Sequence, residues 1–143
     1  MKLLVIDGQG GGVGRALVQA LKAALPEQPV IALGTNAVAT AAMLRAGADA
    51  GASGENAIRH QCASADVIVG VIGILHANAM MGEISPVIAA AVSESEAQKV
   101  LLPLDRCGLH IVGVARQPLD AAIREAVQYI AELIAADAAK GHC

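Results

Sequence analysis

Leu3-Leu4-Val5-Ile6-Asp7-Gly8-Gln9-Gly10-Gly11-Gly12-Val13-Gly14-Arg15 is the stretch that decides the fold. Its first five residues form an apolar run closed by a carboxylate, as expected of a strand buried on both faces of a parallel sheet. Five glycines follow within seven residues. Val13, Leu17, Leu21 and Leu25 then recur at spacing four, with Val18 widening the stripe, so residues 13–25 read as an amphipathic helix ended by Pro26. Strand, glycine turn and helix in that order open a doubly wound α/β sheet.

The rest of the chain continues the alternation. Val30-Ile31-Ala32-Leu33 reads as a second buried strand closed by Gly34. Thr35 or Asn36 can cap a helix that runs towards Ala46 and stops at Gly47. Residues 48–52 are a weak edge strand. Ser53 is placed to cap a third helix, with Glu55 in its first turn, where the dipole favours a carboxylate. Residues 66–72 form the next strand, and a long apolar loop spans residues 73–82. Ser85-Pro86 is an N-cap followed by a first-turn proline and starts a helix. Residues 100–104 read as a strand, Asp105-Arg106-Cys107-Gly108 as a turn, and Ile111-Val112-Gly113-Val114 as a strand returning antiparallel. Pro118 opens a last helix with the stripe Leu119, Ile123, Val127, Ile130 and Ile134, and residues 136–143 read as a frayed tail. The prediction is one Rossmann-like domain over residues 1–143. It is a three-layer αβα fold whose mostly parallel sheet closes with a C-terminal antiparallel hairpin strand.

Composition narrows the function classes. The chain has 143 residues, enough for one core and too few for two ordinary domains. Hydrophobic residues make up 55% and aromatic residues 1%, so the core must be aliphatic. The net charge of −3 and the single Tyr129 supply neither phosphate-neutralising charge nor stacking platforms, which argues against nucleic acid as a partner. Two long uncharged stretches, residues 29–44 and 67–82, have 16 residues each, short of the roughly 20 a membrane span needs. No signal-peptide pattern precedes the first strand. The cysteines, Cys62, Cys107 and Cys143, are odd in number and widely spaced, as in a reduced, cytoplasmic protein without a zinc site.

The glycine loop carries the functional expectation. Doubly wound sheets bind ligands at the carboxyl ends of their strands. Glycines there allow close backbone approach, and the following helix offers unpaired N–H groups to an anion. A phosphate-bearing small ligand, a nucleotide or a dinucleotide such as NAD or NADP, is therefore expected around Gly8, Gln9, Gly10, Gly11, Gly12 and Gly14. A tight turn that only packs helix on strand is the alternative. G-x-G-x-x-G is absent because position 13 is Val; G-x-x-x-G-x-G fits, through Gly8, Gly12 and Gly14. That spacing resembles the loop of short-chain dehydrogenases, but Tyr129 is followed by Leu133 where their catalytic pair has Lys, and the chain is far shorter. The segment also resembles the loop of partition-type ATPases, yet it lacks their lysines, and Ala16 stands where a hydroxyl would meet Mg²⁺; a P-loop is rejected.

Other candidates fall at strand ends or helix starts. Thr35 and Asn36 follow the second strand, where an acidic residue usually binds ribose; the lack of a carboxylate there weighs against NAD. Both can bond to sugar or phosphate, or cap the next helix. His76 lies in the apolar loop and is a candidate acid or base, with Asn78 or Glu83 as its partner. Glu55 and Asn56 open the third helix, as ligand contacts or as helix-terminal stabilisers. Arg106 can clamp a phosphate, or pair with Asp105 in a turn.

Asp7-Gly8-Gln9-Gly10-Gly11-Gly12, Ala32-Leu33-Gly34-Thr35-Asn36-Ala37 with Ala39-Thr40, Gly54-Glu55-Asn56-Ala57, Gly82-Glu83-Ile84 and Pro103-Leu104-Asp105-Arg106-Cys107 together resemble the bacterial family of domain of unknown function 3842. The resemblance covers nearly the whole chain and implies a small stand-alone cytoplasmic protein. It brings no activity with it. Ser53 stands where the family pattern has Thr, which keeps a hydroxyl. A second functional expectation is a regulatory or structural subunit. An apolar loop around Met80-Met81 and a high hydrophobic content fit a homo-oligomer or a partner surface.

Overall fold

In a computed structural model of the protein, which describes residues 1–104 and 108–141, five parallel strands alternate with five helices. β1 (Leu3–Asp7), α1 (Gly12–Ala24), β2 (Val30–Gly34), α2 (Ala37–Arg45), β3 (Ala50–Ser53), α3 (Glu55–Cys62), β4 (Val67–Val71), α4 (Pro86–Glu94), β5 (Gln98–Leu102) and α5 (Leu119–Lys140) follow in that order, with a short 3-10 turn after β4. The strand order is β3-β2-β1-β4-β5. From β1 the chain winds outward through β2 and β3, then returns across the sheet to β4 and β5. The strand order reverses between β1 and β4, so a crevice opens beyond their carboxyl ends.

Alternate residues of each strand feed two separate cores, because side chains along a strand point to opposite faces. Leu3, Val5, Val30, Ala32, Val67 and Val69 pack with Leu17, Val18 and Leu21 of α1 and Ile123, Val127 and Ile130 of α5. Leu4, Ile6, Leu33 and Ile68 face Ile58 of α3 and Ile88 and Val92 of α4. The register aligns Asp7 with Gly34 and Gly34 with Ser53, so the first three strands end level on the same side of the sheet.

Several local expectations change. Among the described residues the antiparallel hairpin strand is not formed, and every strand pairing is parallel. The Val114 amide instead donates to the Ile111 carbonyl at 3.3 Å, and Gly113 has φ 84°. Ile111–Val114 is therefore a β-turn with glycine at the third position, which needs a positive φ. β5 ends at Leu102, because Pro103 has no N–H and the Leu104 amide turns back onto the Leu102 carbonyl at 2.9 Å. Ser53 does not cap α3. It closes β3 and shares a hydrogen bond with the Thr40 hydroxyl at 2.7 Å, and Gly54 takes the N-cap position. α5 continues to Lys140, into the stretch read as tail. Among the described residues no helix is long and apolar enough to cross a membrane.

Candidate functional site

The glycine loop lies at the reversal of strand order, and its five glycines divide into two groups. At Gly8 an added Cβ would stand 2.7 Å from the Thr35 hydroxyl and 2.8 Å from the Met80 sulfur. At Gly14 it would meet the Met43 sulfur at 2.6 Å. At Gly11, where φ is +72°, it would meet the Ala39 backbone at 2.8 Å. These three glycines are needed to build the fold. Gly10 and Gly12 have no positive φ and nothing within 4 Å of a Cβ. Neither conformation nor packing requires glycine there.

The loop's amides divide in the same way. The Gly11 amide closes onto the Gly8 carbonyl at 2.9 Å. Asp7, the last residue of β1, turns its buried carboxylate back to accept the Gly8 amide at 2.8 Å and the Gly14 amide at 2.6 Å. Among the described residues, the N–H groups of Gly10, Gly12 and Val13 have no acceptor. Burial pushes the Asp7 carboxyl above its ordinary range; the Gly14 and Gly8 amides oppose that, and the charge of Glu83 adds to it.

Beside the loop is a cavity of about 540 Å³, lined by residues 7–13, Val71, Gly73, Met80, Met81, Leu104 and Leu119. Its size is that of a small-ligand site, and apart from Asp7 the side chains are apolar or neutral. One wall is the loop after β4, which folds on itself: the Asn78 amide meets the Ile84 carbonyl at 2.6 Å and the Ile84 amide meets the Ala79 carbonyl at 3.1 Å. Asn78, Met80 and Met81 hold φ of 68°, 57° and 58°, and Gln9 on the glycine loop holds 50°. Left-handed conformations are uncommon outside glycine and gather at functional sites.

Glu83 ends this loop on the β2 side. Its Oε1 accepts the Thr35 hydroxyl at 2.7 Å, the Asn36 amide group at 2.7 Å and the Gln9 backbone N–H at 3.0 Å. The Thr35 hydroxyl, with the Gln9 and Asn36 groups, holds the carboxyl below the usual range against a partial burial cost. Asn36 also caps α2, its Oδ1 accepting the Ala39 amide at 2.9 Å. Capping and site contact, weighed as alternatives in the sequence, coexist in one side chain.

The other expected residues do not converge here. His76 is half-buried and does not line the cavity; among the described residues its imidazole has no hydrogen bond, to Glu83 or to Asn78. Glu55 accepts the Ser85 hydroxyl at 2.6 Å and so ties α3 to the N-terminus of α4. Asn56 accepts Arg59 at 2.9 Å on the exposed face of α3. Arg106 lies outside the described residues. Sequence reasoning missed Asp7 as a site residue. Its signal was a carboxylate ending a strand that is otherwise wholly apolar, directly before the glycines. Among the described residues no cluster of three metal-ligating side chains is present.

Fold and site together define a doubly wound, Rossmann-like α/β protein with a glycine loop at the point where strand order reverses. The family model described as Domain of unknown function (DUF3842) matches residues 2–135, and the chain belongs to that family. No curated protein and no solved structure matches the chain.

Proposed function

We propose that the protein binds a phosphate-bearing ligand, a nucleotide or dinucleotide, across Gly10, Gly12 and Val13. The observation that carries this reading is the pair of glycines, Gly10 and Gly12, that neither backbone conformation nor packing requires. They line the cavity with Val13, and the N–H groups of all three lack an acceptor among the described residues. Backbone amides at the start of a helix suit an anion, and the absence of Cβ atoms lets it approach closely. The neighbouring apolar volume suits the uncharged part of such a ligand.

A thermal-shift panel of NAD, NADP, ATP, GTP, FAD, coenzyme A and S-adenosylmethionine, each with and without Mg²⁺, tests the reading. A ligand at about 100 times its Kd adds roughly 2.7 kcal/mol of stability, a shift of several degrees. Gly12→Asp should stay folded, since a carboxylate is tolerated in the first turn of a helix, and should lose the shift. A Gly12→Asp protein that keeps the full shift overturns the assignment. A second reading, a regulatory or structural subunit, is favoured by Met81 and Val112, which are 96% and 88% exposed. Light scattering tests it: a monomer across the micromolar range removes the homo-oligomer.

A further inference from the structure

We infer that Glu83 selects the sugar of the bound nucleotide: its carboxylate takes a ribose 2′-hydroxyl at the carboxyl end of β2, so NAD binds in preference to its 2′-phosphorylated counterpart. The inference rests on the nucleotide reading above and deepens it. In doubly wound sheets an acidic side chain just after the second strand accepts the ribose hydroxyl. The residues after β2 in this chain, Thr35 and Asn36, are neutral. Both donate to Glu83, which comes from the far side of β1, 48 and 47 residues along the chain. The loop after β4 thus delivers the carboxylate that β2 lacks.

The hydrogen bonds also fix its position and the oxygen it offers. The Gln9 amide belongs to the glycine loop, so Glu83 lies between that loop and the end of β2. Sugar selection requires a ligand with its phosphate over Gly10 and Gly12 to run its ribose into the same interval. Oε1 is saturated by three donors. Oε2 has no protein donor among the described residues, and the side chain is only half-buried. A carboxylate accepts and does not donate, so it matches a hydroxyl. No lysine or arginine pairs with it among the described residues, so a 2′-phosphate meets an uncompensated like charge. The cavity is lined by the glycine loop, Val71 of β4, Met80 and Met81 of the loop after β4, and Leu119 of α5, and Glu83, Thr35 and Asn36 are not part of its lining. A ligand reaching both places is an extended one, a dinucleotide.

Isothermal titration of the full chain with NAD and with NADP tests this, first in the unmodified protein and then in Glu83→Gln. Glutamine keeps an acceptor for Thr35, Asn36 and Gln9 but removes the charge. The expected result is NAD binding at least about tenfold tighter than NADP, and a ratio that falls to within about threefold in Glu83→Gln. A residue that only ties the loop to β2 changes both affinities together and leaves the ratio alone. Equal affinities in the unmodified protein, or a ratio unchanged in the variant, overturn the sugar selection and leave the nucleotide reading standing. Binding of another panel ligand with neither dinucleotide bound has the same effect. Silence across the whole panel overturns both.

Discussion

The Asp7 carboxylate accepts the Gly14 amide at 2.6 Å, so the last residue of β1 caps the helix that β1 feeds. The same carboxylate holds the Gly8 amide at 2.8 Å. Strand end, loop and helix start are thereby clamped by one side chain. Among the described residues the N–H groups of Gly10, Gly12 and Val13 are left without an acceptor, and all three residues line the cavity.

Asp7→Ala removes both acceptors and should destabilise the protein by about 1–3 kcal/mol, the cost of stranding buried donors. Asp7→Asn keeps one acceptor and sheds the buried charge, so it should lose less. The pH dependence separates charge from hydrogen bonding. Burial raises the Asp7 carboxyl above 3.8 in the folded state. The folded protein therefore holds that proton more tightly than the unfolded chain does. The Asp7 contribution is fully favourable below pH 3.8 and declines as pH rises through the raised value. Urea unfolding of the unmodified protein and of Asp7→Asn across that window should show the difference narrowing or reversing at higher pH. Parallel curves would mean that the charge carries no burial cost.

The glycines should separate by readout. Gly8→Ala and Gly14→Ala overpack filled space, and Gly11→Ala adds a left-handed backbone penalty, so each should cost about 1–3 kcal/mol of stability. Gly10→Ala and Gly12→Ala should stay within about 0.5 kcal/mol of the unmodified protein. If they carry a phosphate, they should weaken ligand binding despite normal melting. Chemical denaturation of all five variants checks this. A large loss at Gly12 would return that residue to the group that builds the fold.

Cys62 should be inert in the folded protein. It is 1% exposed, and burial pushes its thiol from 9.0 to about 11, against the opposing charges of Lys2 and Lys99. The thiolate is the reactive form, so alkylation at pH 8 should be slowed roughly 100-fold by ionisation alone. Peptide mapping after iodoacetamide treatment, native and in urea, should find Cys62 modified only in urea. Native labelling would mean that α3 opens readily from the sheet.

The sequence by itself determined the architecture. Buried strands, glycine and proline stops and N-caps are signals spread over a few residues, and each of the five parallel strands was legible within a few residues of its ends. The hairpin misreading has a local cause: Ile111-Val112-Gly113-Val114 carries the composition of a strand, but Gly113 turns it. The place of the glycine loop at a carboxyl end of the sheet was legible too, since it directly follows the first strand of an alternating chain, while the strand order around it came from the fold. Tertiary structure alone decided which glycines are spare, because that depends on how close Thr35, Ala39, Met43 and Met80 come. It also decided that Glu83 stands at the end of β2. The residues that follow β2 in the sequence hold no carboxylate, whereas in the fold the Glu83 carboxylate accepts from both Thr35 and Asn36. A hydrogen bond across 48 residues has no period or cap to announce it; it forms because the packed sheet brings the end of β2 and the loop after β4 to the same side of the glycine loop.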